Sequence, residues 1–244
     1  MNTEFNEVEF NLAYPDGVEN TYWQRARNYI IYRTIKRAGL SGSPILEIGC
    51  GRGLVVNYLS KKNINCFGIE LAKAEPIEGV ERKILTSTNA LDTSEDFAGR
   101  FNTILLLDVV EHIEDDAGFI KSISVKYNKV THLVISVPAR KEIWTNFDDF
   151  YRHYRRYDIK ELTALIHKTG FEVVDIRYTF KSVYLLVLLF NKFKIRRKVQ
   201  TPVPPNSVMK LAHIIIGWLF MLEYIIMPKS MYGSSIFCVA RKKT

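Results

Sequence analysis

From Ile45 onward, short apolar runs alternate with stretches whose apolar residues recur every third or fourth position. ILEIG, NCFGIE, RKILT, FNTILLLD and THLVISVP read as strands, and LVVNYLSKK and residues 116–126 read as helices. That alternation predicts an α/β fold, a parallel sheet with covering helices. Upstream, Tyr22, Ala26, Tyr29, Ile30 and Ile35 mark one face of a helix. Thr21 and Gln24 make a capping-box pattern at its start, and Gly39, Ser41, Gly42, Ser43 and Pro44 end it. Downstream, residues 139–157 read as an aromatic, charged loop. Asp158 and Glu161 then open a helix with Ile159, Leu162, Leu165 and Ile166 turned inward, ending at Gly170. FEVVDIRYTF and SSIFCVARK are two late strands separated by an apolar insertion. The expected organisation is a single domain over residues 1–244, with a cap region at 1–44, a core at 45–178 and 231–244, and a helical insertion at 179–230.

Of 244 residues, 47% are hydrophobic and 12% aromatic, which excludes a disordered or fibrous chain. Cys50, Cys66 and Cys238 form no CxxC pair, so neither a disulfide scaffold nor a zinc module is expected. Reduced thiols and an opening MNTEFNEVEF without a basic apolar signal suggest a cytoplasmic protein. The net charge of +8 is unevenly divided: residues 1–178 hold 23 basic and 25 acidic side chains, residues 179–244 hold eleven and one. The basic third is also the most apolar, which points to an anionic partner surface.

The string Glu47-Ile48-Gly49-Cys50-Gly51-Arg52-Gly53 places glycine at alternate positions between a strand and a helix, where backbone N–H groups can approach a ligand. No GK[ST] follows, so a P-loop is excluded. Glu70, after the second strand, is the acidic residue expected to hold a ribose diol, which suits a nicotinamide cofactor equally well. Asp108 then ends the fourth apolar run and leads into acidic, helix-compatible residues.

At these motifs the chain resembles the class I S-adenosylmethionine-dependent methyltransferases. ILEIGCGRG resembles that family's nucleotide loop, Glu70 its ribose acid, LLDVVEHI its fourth-strand motif and LVISVPA its fifth. YWQRARN and FDDFYRHYRRYDIKELTALIHKTGFEVVDI extend the likeness to a subgroup with an H-x-R-R-Y segment. The resemblance implies a Rossmann-like seven-stranded sheet in order 3-2-1-4-5-7-6 with strand 7 antiparallel. S-adenosyl-L-methionine is the implied cofactor, bound by Glu47, Gly49, Cys50, Gly51 and Gly53, by Glu70 and Leu71, by Asn89 and Ala90 near the adenine, and by Asp108 and Val109. Gly53 has helix packing as a plainer alternative role.

His153 lies in the polar loop after the fifth strand, where substrates enter this fold. It is the expected base if the acceptor is a hydroxyl. His112, Tyr151, Arg155, Arg156 and Tyr157 are expected on the substrate side. The two arginines could clamp an anionic acceptor or pair with Asp148 or Asp149. His112 stands four residues after Asp108, but no third ligand follows at a defined spacing, so no metal is expected.

In the insertion, residues 208–227 are long enough to cross a bilayer core of about 30 Å yet contain Lys210, His213 and Glu223. NKFKIRRK precedes them, and the chain must return to complete the sheet, so helices lying on an anionic membrane surface through residues 183–227 are expected. A homodimer interface and a lid over the pocket are the alternatives. The function expected is methylation, at oxygen, of a small-molecule or lipid-linked acceptor, glycan or quinone-like, by an enzyme peripheral to the inner face of the membrane. Nucleic-acid methylation is the rival. Against it, Asp108-Val109-Val110-Glu111 replaces the D/N-P-P-Y/W string of amino-methylating enzymes and no Pro-Cys nucleophile is present. A non-catalytic binding protein of the same fold is the third reading, opposed by the intact Glu47, glycines and Glu70.

Overall fold

In the computed structural model, which describes residue 10, residues 12–196, residue 199 and residues 203–243, the apolar runs form seven strands. They are β1 (Ile45–Ile48), β2 (Cys66–Ile69), β3 (Ile84–Leu85), β4 (Thr103–Leu107), β5 (His132–Pro138), β6 (Phe171–Thr179) and β7 (Ser235–Lys242). They build one sheet in the order β3-β2-β1-β4-β5-β7-β6, as expected. The β3-β2-β1-β4-β5 block is parallel, and β7 runs antiparallel to both β5 and β6. The central strands are buried on both faces, so their sequences are continuous apolar runs instead of alternating ones.

Successive side chains still divide between the two faces. Leu46, Ile48, Ile104 and Leu106 pack with Ile120 and Ile123 of one helix (Asp116–Lys126) and Leu162 and Ile166 of another (Ile159–Lys168). Ile45, Leu105 and Val134 meet Ala26 and Ile30 of the first long helix, α1 (Tyr22–Arg37), and Val56 and Leu59 of α2 (Leu54–Ser60). At the start of α1, the Gln24 amide donates to Thr21 Oγ1, but the Gln24 side chain turns to Asn28. Only half of the capping box forms, because a buried Asn28 offers Gln24 a better partner.

The insertion forms two helices, α3 (Lys181–Lys192) and α4 (Ser207–Ile226). Helix α4 is long and apolar enough to cross a membrane, with a mean hydropathy of 1.6, but here it lies along α1. Its two buried polar side chains explain that placement. His213 Nδ1 accepts from the Tyr22 amide at 3.2 Å, and the Glu223 carboxylate accepts from the Lys181 and Ser182 amides at 2.5 and 2.9 Å. Each therefore satisfies the unpaired N-terminal donors of a neighbouring helix, and an anion there also meets the helix dipole favourably. Gly217 faces the first turn of α1, where a Cβ would make ordinary contacts with the Tyr22 carbonyl and Arg25. Val208, Leu211, Ile215, Trp218, Leu219 and Ile226 remain exposed on the other side.

Candidate functional site

The glycine loop turns sharply where β1 meets α2. Gly49, Gly51 and Gly53 all have positive φ. A Cβ on Gly49 would lie 2.7 Å from Val109 Cγ2, and one on Gly51 would lie 2.4 Å from the Tyr14 ring, so both positions need glycine for conformation and for space. Gly53 abuts Ile84, where a Cβ would meet Cδ1 at 2.1 Å, and so serves the packing of α2 on the sheet. Cys50 turns away from the loop and packs on Gly68, its thiol raised in pKa by burial.

Three carboxylates converge on this turn. Glu70 Oε2 accepts from the Gly51 amide at 2.7 Å and Oε1 from the Ala72 amide at 2.9 Å, which holds the side chain beside the loop and leaves lone pairs for ligand hydroxyls. Leu71 continues from it. Glu47 is buried with Oε2 lacking a hydrogen-bond partner among the described residues, and burial pushes its carboxyl up to about 8. An orphaned buried acceptor of this kind calls for a donor or a cation. Asp108 adopts φ 59° at the end of β4, a conformation held by its amide on the Ser136 carbonyl and by Ser136 Oγ on Oδ1. On its other oxygen Arg27 donates through Nε at 3.0 Å and also reaches the Leu107 carbonyl. Asn89 Oδ1 accepts from the Leu91 amide and caps the turn that begins at buried Ala90.

Sequence reasoning missed Arg27 and Tyr14 as members of this cluster. Arg27 belonged to the YWQRARN string, and its signal is a charge next to Ala26 on a buried helix face. Tyr14 lies ahead of any periodic segment, and no local pattern marks it. Its hydroxyl is driven up in pKa by burial and by the neighbouring Glu70.

The residues expected on the substrate side are one turn away. Directly after Asp108 and Val109, the short turn Val110–His112 carries Glu111 and His112, and the Glu111 carbonyl accepts from the Tyr154 amide. This joins the loop after β5 to the end of β4. Within that loop, Thr145 and Asp148 form a capping box that opens a five-residue helix (Asn146–Phe150), too short to show as a period in the sequence. Asp148 is fully buried and holds three groups: Thr145, His153 Nδ1 at 2.9 Å, and Arg156 through Nε and NH2 at 2.8 and 2.9 Å.

Arg155, Arg156 and Tyr157, expected on the substrate side, make contacts within the protein, and for Arg156 the partner is Asp148, the alternative weighed for it. Arg156 is buried on Asp148, Arg155 pairs with Asp116 and the Glu114 carbonyl, and the buried Tyr157 donates its hydroxyl to Asp116. They fasten the loop to the body of the protein, and their charges are already matched.

His112 and His153 do meet, with ring centroids 4.7 Å apart. His112 is also tied to the Tyr151 backbone, and burial lowers its pKa to about 4, so the ring is neutral at physiological pH. Glu111, His112 and His153 each place a ligand atom within 4.8 Å of the others. Spacing alone had shown no third donor beside His112; the fold supplies it from a loop some forty residues on.

The sequence profile described as a methyltransferase domain matches residues 22–176. The ubiquinone biosynthesis O-methyltransferase of Pseudomonas aeruginosa is 30% identical over 95 residues, which covers 36% of this chain and 40% of that enzyme. That of Vibrio parahaemolyticus is 25% identical over 121 residues, 46% of this chain and 50% of that one. The chain thus matches half or less of these relatives' length. Among solved structures, the Haemonchus contortus phosphoethanolamine N-methyltransferase 2, in complex with S-adenosylhomocysteine, is similar with a TM-score of 0.54 and 17% identity, over 89% of this chain and 52% of that one. With the profile covering both the glycine loop and the loop after β5, the chain belongs to the methyltransferase domain family and shares the fold of its S-adenosylmethionine-dependent class I members.

Proposed function

We propose that this protein, acting as one domain, transfers a methyl group from S-adenosylmethionine to a hydroxyl of a small-molecule or lipid-linked acceptor at the cytoplasmic face of an anionic membrane. The observation that carries the cofactor reading is Glu47, a buried carboxyl with an unpartnered oxygen beside the glycine loop, facing where a cationic ligand would be held. Gly49, Gly51 and Glu70 would receive the remainder of the cofactor, with Leu71, Asn89, Ala90, Asp108 and Val109 around it. When bound, S-adenosylmethionine supplies a sulfonium methyl that passes to the acceptor oxygen as the carbon–sulfur pair returns to sulfur. The protein's part is alignment and exclusion of water. His153 would take the acceptor proton: with Nδ1 donating to Asp148, its lone pair is on Nε2. His112 and Tyr151 would line the same side. The 30% identity to a ubiquinone biosynthesis O-methyltransferase favours oxygen as the acceptor atom.

Calorimetry with S-adenosylmethionine and S-adenosylhomocysteine is expected to show one site per chain for each. If neither binds, the enzyme reading fails.

The membrane reading draws on the exposed apolar side of α4, on exposed Leu185, Leu186 and Leu189 of α3, and on Phe193 and Ile195 interleaved with exposed Lys192, Lys194 and Arg196. Arg197 and Lys198 of the same basic string lie outside the described residues. Basic side chains among apolar ones suit phosphate headgroups over acyl chains. The protein is expected to float with vesicles containing phosphatidylglycerol and to stay behind with neutral vesicles. Replacing Lys192, Lys194 and Arg196 by Glu should release it, and equal flotation on both vesicle types would count against an anionic surface.

A further inference from the structure

We propose that Glu111, His112 and His153 bind one divalent transition-metal cation on the acceptor side of the active site. What such a cation does rests on the methyl-transfer reading above; whether it binds does not.

Two imidazoles and one carboxylate are a donor set suited to zinc, cobalt, iron or manganese, and three protein ligands leave positions open for an exogenous oxygen. All three ligand atoms lie within 4.8 Å of one another. Two atoms each bound at about 2.1 Å to a shared ion stand roughly 3.4 to 4.2 Å apart, so small side-chain rotations close the site. An independent observation comes from Glu111: it is 1% exposed, and its Oε2 has no hydrogen-bond partner among the described residues. Leaving a buried carboxyl oxygen unmatched is costly, and a cation bound by the Glu111 carboxylate beside the two rings offsets that cost.

The surroundings orient the donors as metal ligands are usually oriented. The Asp148 carboxylate holds His153 Nδ1 at 2.9 Å and is itself fixed by Arg156 and Thr145, which directs Nε2 outward as the lone-pair atom. His112 is anchored at the Tyr151 backbone. The Glu111–His112 turn follows Asp108 and Val109 without a break, so a cation here would stand next to the cofactor pocket.

With the cation present, the Nε2 lone pair of His153 is committed to the metal. The acceptor hydroxyl would bind an open coordination position, where its oxygen becomes more acidic and its proton leaves to water. His153 then acts as a ligand, and the deprotonated oxygen is the nucleophile.

The test is titration of the whole purified chain with Co2+, read by visible absorption, beside calorimetry with S-adenosylhomocysteine. One equivalent is expected to develop ligand-field bands that Zn2+ then abolishes. His112→Ala and His153→Ala should each weaken Co2+ binding by about 100-fold, with S-adenosylhomocysteine affinity retained as the sign of an intact fold. Glu111→Gln, which keeps the shape of the side chain, should weaken it at least about tenfold even if a histidine variant does not fold. Absence of the bands in the wild type, or undiminished bands in the His112→Ala, His153→Ala double variant, would overturn the proposal. Saturable Co2+ bands without any S-adenosylhomocysteine binding would leave the site standing and remove the methyl-transfer reading.

Discussion

Affinity for S-adenosylmethionine is expected to rise about 50-fold between pH 6 and pH 8. Burial pushes Glu47 up to about 8 against the opposing pull of Arg27, with Glu70 and Asp108 adding to the rise. Below that value the unliganded protein holds a neutral carboxyl. A ligand bearing sulfonium and ammonium charges binds the carboxylate form better, so binding releases a proton, and each pH unit below the free-protein pKa weakens binding by close to tenfold. The rise stops near pH 8, where Glu47 is half ionised and the amino group of the ligand begins to lose its own proton. Calorimetry near pH 6.5 in two buffers of different ionisation enthalpy should count close to one proton released per cofactor. Glu47→Gln should bind weakly at every pH and release none; an unchanged proton count would remove Glu47 from the cofactor site.

The same shift has a consequence for the unliganded fold. Because the native state holds this proton more tightly than the unfolded chain does, Glu47 contributes stability fully below about pH 4.5, and that contribution is lost as pH rises toward about 8. A group that weakens the empty protein in this way is what a binding site is expected to hold, because there function opposes stability.

The strands were legible in the sequence because each central one is buried on both faces and so appears as an unbroken apolar run bounded by turn residues, as in ILEIG and FNTILLLD, whereas their order followed only from the resemblance to the methyltransferases. Glu70 and Asp108 could be picked out because each follows such a run at its carboxyl end, and Glu47 because it is the one charged residue inside the first of them. Groups that meet only through tertiary packing left little trace. Arg27 reaches Asp108 across 81 positions, and His153 reaches Glu111 and His112 through a loop whose order depends on one buried carboxylate. The polar residues of the apolar helix α4 were visible, but their meaning was not: His213 and Glu223 serve the first turns of other helices, a role that no periodicity within α4 encodes.

Asp148→Ala is expected to destabilise the protein by about 3 to 5 kcal/mol, the range for removing one partner of a buried ion pair. The carboxylate is fully buried and accepts from Thr145, His153 and two of the three Arg156 nitrogens, and these contacts hold its pKa well below the usual carboxylate range against the opposing effect of burial. Without it, Arg156 is left as a buried cation whose remaining partner is the Ala139 carbonyl. For a chain of this length each kcal/mol lowers the melting temperature by roughly 2 to 4 °C, so calorimetric scanning should show a loss of about 6 to 20 °C. The paired replacement Asp148→Leu, Arg156→Met removes both charges together and should recover much of the loss, since it is the unmatched charge that is costly. Recovery of stability need not restore chemistry: the paired variant still lacks the acceptor for His153 Nδ1, so the ring loses its fixed tautomer and Co2+ binding should stay weak. A paired variant that regained both stability and cation affinity would show that Asp148 holds the loop without orienting the histidine.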